Sequence, residues 1–256
     1  MTNNRFFKFV LPWIDTLTLA AWGILFLKLL ITGQFRLLIH PNYAGLVLAA
    51  GIILMGVSLF KGWQLWRSRR RRIETSPQVQ HITLFPPGWS TLLLLITAVL
   101  GLSIPPRVLA SDTALQRGVT EALPVTQTQR QSFRGTIKPE DRSIVEWVRT
   151  LNAYPEPDAY TGQKVNVTGF VVRNPEFPEG YVLLCRFIIT CCAVDASPVG
   201  LPVKLSADQL EVENDTWLRV EGQMTTETLN GKRQLTIAAE TVAEIPTPAD
   251  PYKFAD

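Results

Sequence analysis

The chain has 256 residues, 46% of them hydrophobic, and a formal net charge of +3 from 25 Lys plus Arg against 22 Asp plus Glu. The excess is uneven: residues 1–104 hold ten basic and two acidic residues (+8), and residues 105–256 hold fifteen and twenty (−5). The basic charge therefore travels with an apolar N-terminal half, and the acidic remainder repels phosphate, which excludes nucleic-acid binding as the reason for the basic balance.

In chain order, three apolar stretches predict membrane spans. The first, near residues 17–33 (LTLAAWGILFLKLLIT from Leu17), has Lys28 as its only charge, close enough to one end to snorkel. The second, near 43–61, is uncharged from Tyr43 to Phe60 and ends at Lys61, Trp63 and Trp66, basic and aromatic anchors suited to an interface. The third, 89–104 (WSTLLLLITAVLGLSI), is uncharged and stops at Pro105-Pro106, which cannot continue a helix. Between the second and third lie Arg67 and Arg69 to Arg72. Lys and Arg resist translocation, so this cluster assigns the 67–88 loop to the cytoplasm, together with Arg5 and Lys8; Arg36 falls in the outer loop. A multi-pass domain of residues 1–106 follows, in a cell membrane, with a cytoplasmic N-terminus and everything after the third span outside. A competing signal-like reading of the third stretch, cleaved near Ala110, fits poorly because such segments belong near a chain's start.

Residues 107–137, rich in Thr, Gln, Ser and Arg, read as an extended linker. Beyond it, Ser143 to Asn152 places Ile144, Val145, Trp147, Val148 and Leu151 at helical spacing behind Glu140 and Asp141. Five strands are then expected: Lys164 to Arg173, Tyr181 to Thr190 (apolar enough to be buried on both faces), Val199 to Leu205, Trp217 to Thr228 and Gln234 to Ile245. The last two flank Leu229-Asn230-Gly231-Lys232, a hairpin signal. Gly169 and Gly222 share an apolar-x-Val-x-Gly context, and glycine inside a strand marks the bulge or bend that lets a small barrel close. The predicted fold class is an α+β membrane protein in which an extracytoplasmic, OB-like all-β barrel, residues 138–250, follows one short helix.

All three cysteines fall within Cys185-Arg186-Phe187-Ile188-Ile189-Thr190-Cys191-Cys192. Outside the cytoplasm free thiols tend to oxidise, so an odd number needs a reason. Three readings stand: inert buried residues of a central strand; Cys191 and Cys192 as ligands of zinc or copper(I), joined by Asp195; or a redox pair of Cys185 with Cys191 or Cys192, since a disulfide between sequence neighbours is strained. Joint ligation needs a turn or bulge, because neighbours on an ideal strand point to opposite faces.

The string Arg186-Phe187-x-Ile189-x-Cys191-Cys192-x-x-Asp195-Ala196 ahead of Gly200, preceded by Tyr160-x-Gly162-x-Lys164 and Gly169-Phe170-Val171, resembles the YcgQ-like family of bacterial membrane proteins, as does His40-Pro41. Members are described as one subunit of a two-component membrane permease. The resemblance implies a separate multi-spanning permease partner, and supplies neither a substrate nor an active site.

His40 reads as an interfacial polar anchor, with a pH-sensitive or metal-ligating role as the alternative; His81 falls in the cytoplasmic loop. Arg186 is expected to pair with an acid such as Asp195. Glu176, Glu179, Glu211 and Glu213 lie among Pro and polar residues and read as solvated. The sequence has no phosphate loop, nucleophile elbow or HExxH string, and the expectation is a non-enzyme. Three helices so poor in polar groups do not build a translocation path alone. The expected function is thus an accessory permease subunit anchored in the lipid bilayer, whose outer barrel binds cargo or metal; a tethered redox or metal-sensing module and a structural scaffold are the alternatives.

Overall fold

The computed structural model describes residues 4–71, 88–119, 138–206 and 212–254, and separates into two compact units, Met1–Arg107 and Val108–Asp256. The side chains of Arg5, Lys8 and Arg69 to Arg71, all of Arg72 and His81, the 120–137 part of the linker and Glu211 lie outside the described residues.

The first unit is built from α1 (Asn4–Ile31), α2 (Ala44–Arg71) and α3 (Trp89–Ser103). Small residues let α1 and α2 approach: a Cβ added at Gly23 would lie 2.9 Å from Met55 Cγ, and one at Gly51 would lie 3.1 Å from Leu27. Ser58 Oγ on α2 donates to Thr16 O on α1 at 2.9 Å, so these helices run antiparallel. α3 lies beside α1 in the same direction. Thr91 Oγ1 donates to Asp15 Oδ1 (2.7 Å), Trp22 Nε1 to Leu94 O (3.0 Å) and Lys28 Nζ to Leu102 O (2.6 Å). Lys28, expected to snorkel, thus caps the negative end of α3.

By length and composition, Val10–Ile31 (22 residues, mean hydropathy 1.8) and Pro41–Ser68 (28 residues, 2.2) are long and apolar enough to cross a membrane. α3 has 15 residues, about 22 Å at 1.5 Å per residue, short of a hydrocarbon core of about 30 Å. The expectation of three spans is therefore corrected to two apolar helices long enough to cross and one shorter. The reason is local: Gly88, at φ 89°, starts α3, and the chain turns extended at Ile104 ahead of Pro105.

In the second unit, α4 (Ser111–Arg117) corrects the view of residues 107–137 as linker throughout. Ala114 and Ser111 are buried; Asp215 Oδ1 accepts from Ser111 N at the start of α4. α5 (Ile144–Ala153) begins at a capping box in which Ser143 and Glu146 satisfy each other's main-chain N–H. Its buried face, Ile144, Val145, Trp147, Val148 and Leu151, is the one expected.

Strands β1 (Lys164–Val172), β2 (Tyr181–Ile189), β3 (Ser197–Lys204), β4 (Trp217–Leu229) and β5 (Lys232–Glu244) match the five expected to within a few residues. They pair in the order β1-β2-β3-β5-β4 and back to β1, a closed five-stranded barrel in which only β3 and β5 run parallel. Asn230 (φ 52°) and Gly231 (φ 75°) make the two-residue β4–β5 turn. Gly222 sits at a register shift in the β4–β5 ladder, the expected bulge. At Gly169 no shift occurs; an added Cβ would lie 2.7 Å from Cys185 O and 2.8 Å from Ile144 Cδ1, so glycine there admits close packing.

Val165, Val167, Leu184, Ile188, Leu201, Val220 and Leu235 belong to the core that α5 closes. On the opposite face of β2, Leu183, Cys185, Phe187 and Ile189 are also buried. A sixth strand, β6 (Tyr252–Phe254), runs parallel to β2, past the residue-250 limit expected for the domain. Tyr252 packs edge-on to Phe187 and its hydroxyl accepts from Leu109 N at 2.7 Å.

Candidate functional site

The β2–β3 connection, residues 190–196, carries Cys191, Cys192 and Asp195. Strand β2 stops at Ile189, and Ala193–Asp195 forms one 3-10 turn. The turn that joint ligation required is therefore present, and both thiols lie beyond the strand's alternation. Their sulfurs are 3.6 Å apart. The Sγ atoms and an Asp195 carboxylate oxygen all lie within 4.8 Å of one another.

Asp195 organises the loop. Its carboxylate accepts the main-chain N–H groups of Cys191 (2.7 Å), Thr190 (3.2 Å) and Cys192 (3.3 Å). Partial burial alone would raise its pKa; the Cys191 thiol and these three N–H groups outweigh that and hold it below the ordinary value. The same contact acts oppositely on the thiol. Hydrogen bonds to Asp195, then to Cys192, push the Cys191 pKa up to about 12. From α4, Arg117 Nη1 donates to Ala193 O and Ala196 O and clamps the loop from outside. Val194 at the tip is 84% exposed.

The other expected site residues lie elsewhere. Cys185 is buried beside Gly200, where an added Cβ would lie 2.7 Å from its sulfur, and burial pushes its thiol pKa up. Four strand residues at about 3.3 Å each separate it from the end of β2, so pairing it with Cys191 or Cys192 requires the strand to come apart. Arg186 does not pair with Asp195. Its Nε and Nη2 donate to Thr168 O (3.1 Å) and Oγ1 (2.7 Å), its Nη1 to Asp250 O (3.0 Å) and Pro251 O (3.4 Å), and it lies 4.9 Å from the Trp217 ring centre. Asp195 turns its carboxylate to its own loop, and Arg186 is a structural tie between β1 and the approach to β6. Burial lowers its pKa, opposed by Asp250. His40 is buried in the first unit, where its Nδ1 accepts from Asn42 N at 3.1 Å and N-caps the Pro41–Tyr43 turn.

A separate concavity, about 220 Å³, lies between the start of α5 and the middle of β1 and includes Asp141, Arg142, Thr168, Arg186 and Lys253. Arg142 Nη1 is buried there without a hydrogen-bond partner, its guanidinium 4.9 Å from the Trp147 ring centre. Sequence reasoning missed this cleft and the Arg117 clamp. Ser111-Asp112 before an apolar position and Gly118 after Arg117 were the helix-boundary signals that pointed to α4.

The thiols have distinct expected reactivities. In the folded protein Cys191 and Cys192 should alkylate while Cys185 stays protected until unfolding. Because alkylation follows the thiolate, the Cys191 rate should keep rising toward pH 12, beyond the 9.0 of an ordinary thiol. Mass spectrometry of labelled peptides across pH checks both; a plateau near pH 9 at Cys191 would mean that Asp195 does not hold its proton.

The sequence matches the DUF1980 N-terminal domain over residues 14–120 and the DUF1980 C-terminal domain over residues 118–255. The chain belongs to the DUF1980 family, with which its likeness to YcgQ-like proteins is consistent. The boundary between the two matches falls at the end of α4. No curated protein matches the chain.

Proposed function

We propose that this protein is an accessory, non-catalytic subunit of a two-component permease, anchored in the cell membrane by its N-terminal helices beside a multi-spanning partner. Its OB-like barrel faces outward and offers the Cys191-Cys192-x-x-Asp195 loop to metal cargo. The observation that carries this reading is the loop itself: two free thiols and a carboxylate, preorganised by main-chain hydrogen bonds and open to solvent.

Other features support the parts. Leu46 and Leu59 on α2 are 68% and 70% exposed, a surface suited to lipid. The Arg67 guanidinium lies 5.2 Å from the Trp63 ring centre, a basic and aromatic anchor at the cytoplasmic end of α2. Because α1 and α3 run parallel, a chain that enters from the cytoplasm leaves α3 on the far side even though α3 is short. The order of the five barrel strands, with one parallel contact between β3 and β5, supports the OB-like assignment; the oligonucleotide role common to such barrels does not follow from it.

Two measurements test the assignment. A reporter active only outside the cytoplasm, fused after Asp256, is expected to be active; activity of a cytosol-only reporter there would overturn orientation, partner and site together. Purification in mild detergent is expected to bring down a multi-spanning membrane protein in fixed ratio, and recovery of the chain alone would remove the permease association.

A further inference from the structure

The spacing of the two thiols discriminates between metals. An ion bound tetrahedrally with metal–sulfur bonds of about 2.3 Å holds two sulfurs about 3.8 Å apart, close to the observed 3.6 Å. An ion held in line between two thiolates would need them roughly 4.6 Å apart on the same bond length, and the Arg117 clamp and the three N–H groups on Asp195 oppose opening the loop. The third donor points the same way, because carboxylate oxygen suits zinc better than the soft copper(I) ion. Cys191 is exposed and Cys192 half-buried, so the solvent side of the trio stays open. Three protein ligands with an open fourth position characterise zinc sites that exchange a ligand, whereas structural zinc sites are closed by four.

We infer that Cys191, Cys192 and Asp195 bind one Zn²⁺ in preference to Cu(I), with the fourth position left to an exchangeable ligand. The inference rests on the metal-cargo reading above. Two Zn–S bonds and one Zn–O bond form, the two S–H bonds break heterolytically, and both protons pass to solvent; no electron is transferred. Binding therefore strengthens with pH, up to about 100-fold per unit while both thiols are protonated in the free protein.

The full chain in detergent, kept reduced, is titrated with Zn²⁺ against a chromophoric chelator, with proton release followed in weak buffer, and separately with Cu(I) against a Cu(I)-specific chelator. Co²⁺ serves as a spectroscopic substitute. The expected results are one Zn²⁺ per chain, about two protons released, thiolate-to-cobalt absorption with tetrahedral intensity, and at least a 100-fold loss of affinity in Cys191→Ser and in Cys192→Ser. Asp195→Asn should lose about 10- to 100-fold. Protection of Cys185 from alkylation shows that each variant is folded. Cu(I) binding that Zn²⁺ at tenfold excess does not displace would overturn the zinc assignment and leave the metal-cargo reading standing. Failure of both ions to distinguish the wild type from the double serine variant would overturn both.

Discussion

Gly222→Ala is expected to destabilise the barrel by at least about 3 kcal/mol, the upper end of what overpacking ordinarily causes. The added Cβ would sit 2.1 Å from Ala238 O and 3.1 Å from Glu240 N. Both are main-chain atoms of the facing strand, so no rotamer change relieves the clash. Relief requires parting β4 from β5 at the bulge, and those strands hold one side of the closed barrel. The protein carries its own probe: the chain has three cysteines, so in a Cys191→Ser, Cys192→Ser background the buried Cys185 is the only thiol and alkylates when the barrel opens. With m values of about 1–3 kcal/mol per molar, the urea midpoint of that alkylation should fall by roughly 1–3 M. An unchanged midpoint would mean that the bulge can slide to make room.

Trp147→Ala should cost about 3–5 kcal/mol by the same measurement. Trp147 is fully buried on α5, with Tyr160 edge-on at 6.1 Å and Arg142 over its ring. Its indole Nε1 is buried without a hydrogen-bond partner, so the side chain acts through volume and ring contacts alone. Trp147→Phe, which keeps most of that volume and removes the unsatisfied N–H, is accordingly expected to lose less than about 1.5 kcal/mol. If Trp147→Phe proved as damaging as Trp147→Ala, the indole nitrogen would have a partner after all, and the cleft beside Arg142 would be where to find it.

These two residues also mark what sequence pattern carries. The helical spacing around Trp147, the alternation in β1 and β4, the Asn230-Gly231 turn and the Gly222 bulge are local signals, and each appears where expected. Long-range partners were not legible. Arg186 was matched to an acid such as Asp195, yet Asp195 accepts the N–H groups of its own loop and Arg186 reaches Thr168 and the Asp250 carbonyl. α4 hid inside a polar stretch because seven residues hold too few apolar positions to show a period. The candidate site was half visible: Cys191, Cys192 and Asp195 stood out by residue type, whereas the turn that gathers them and the Arg117 clamp depend on where β2 ends.

On the outer face of β2, Phe187 is covered by Tyr252 of β6, a segment that follows the barrel in the chain. During synthesis the greasy strip of Leu183, Phe187 and Ile189 emerges well ahead of Tyr252, an interval on the order of ten seconds at ordinary elongation rates. A nascent chain therefore passes through a sticky, thiol-bearing intermediate, and its yield should depend on chaperones and reductants that the finished protein no longer needs.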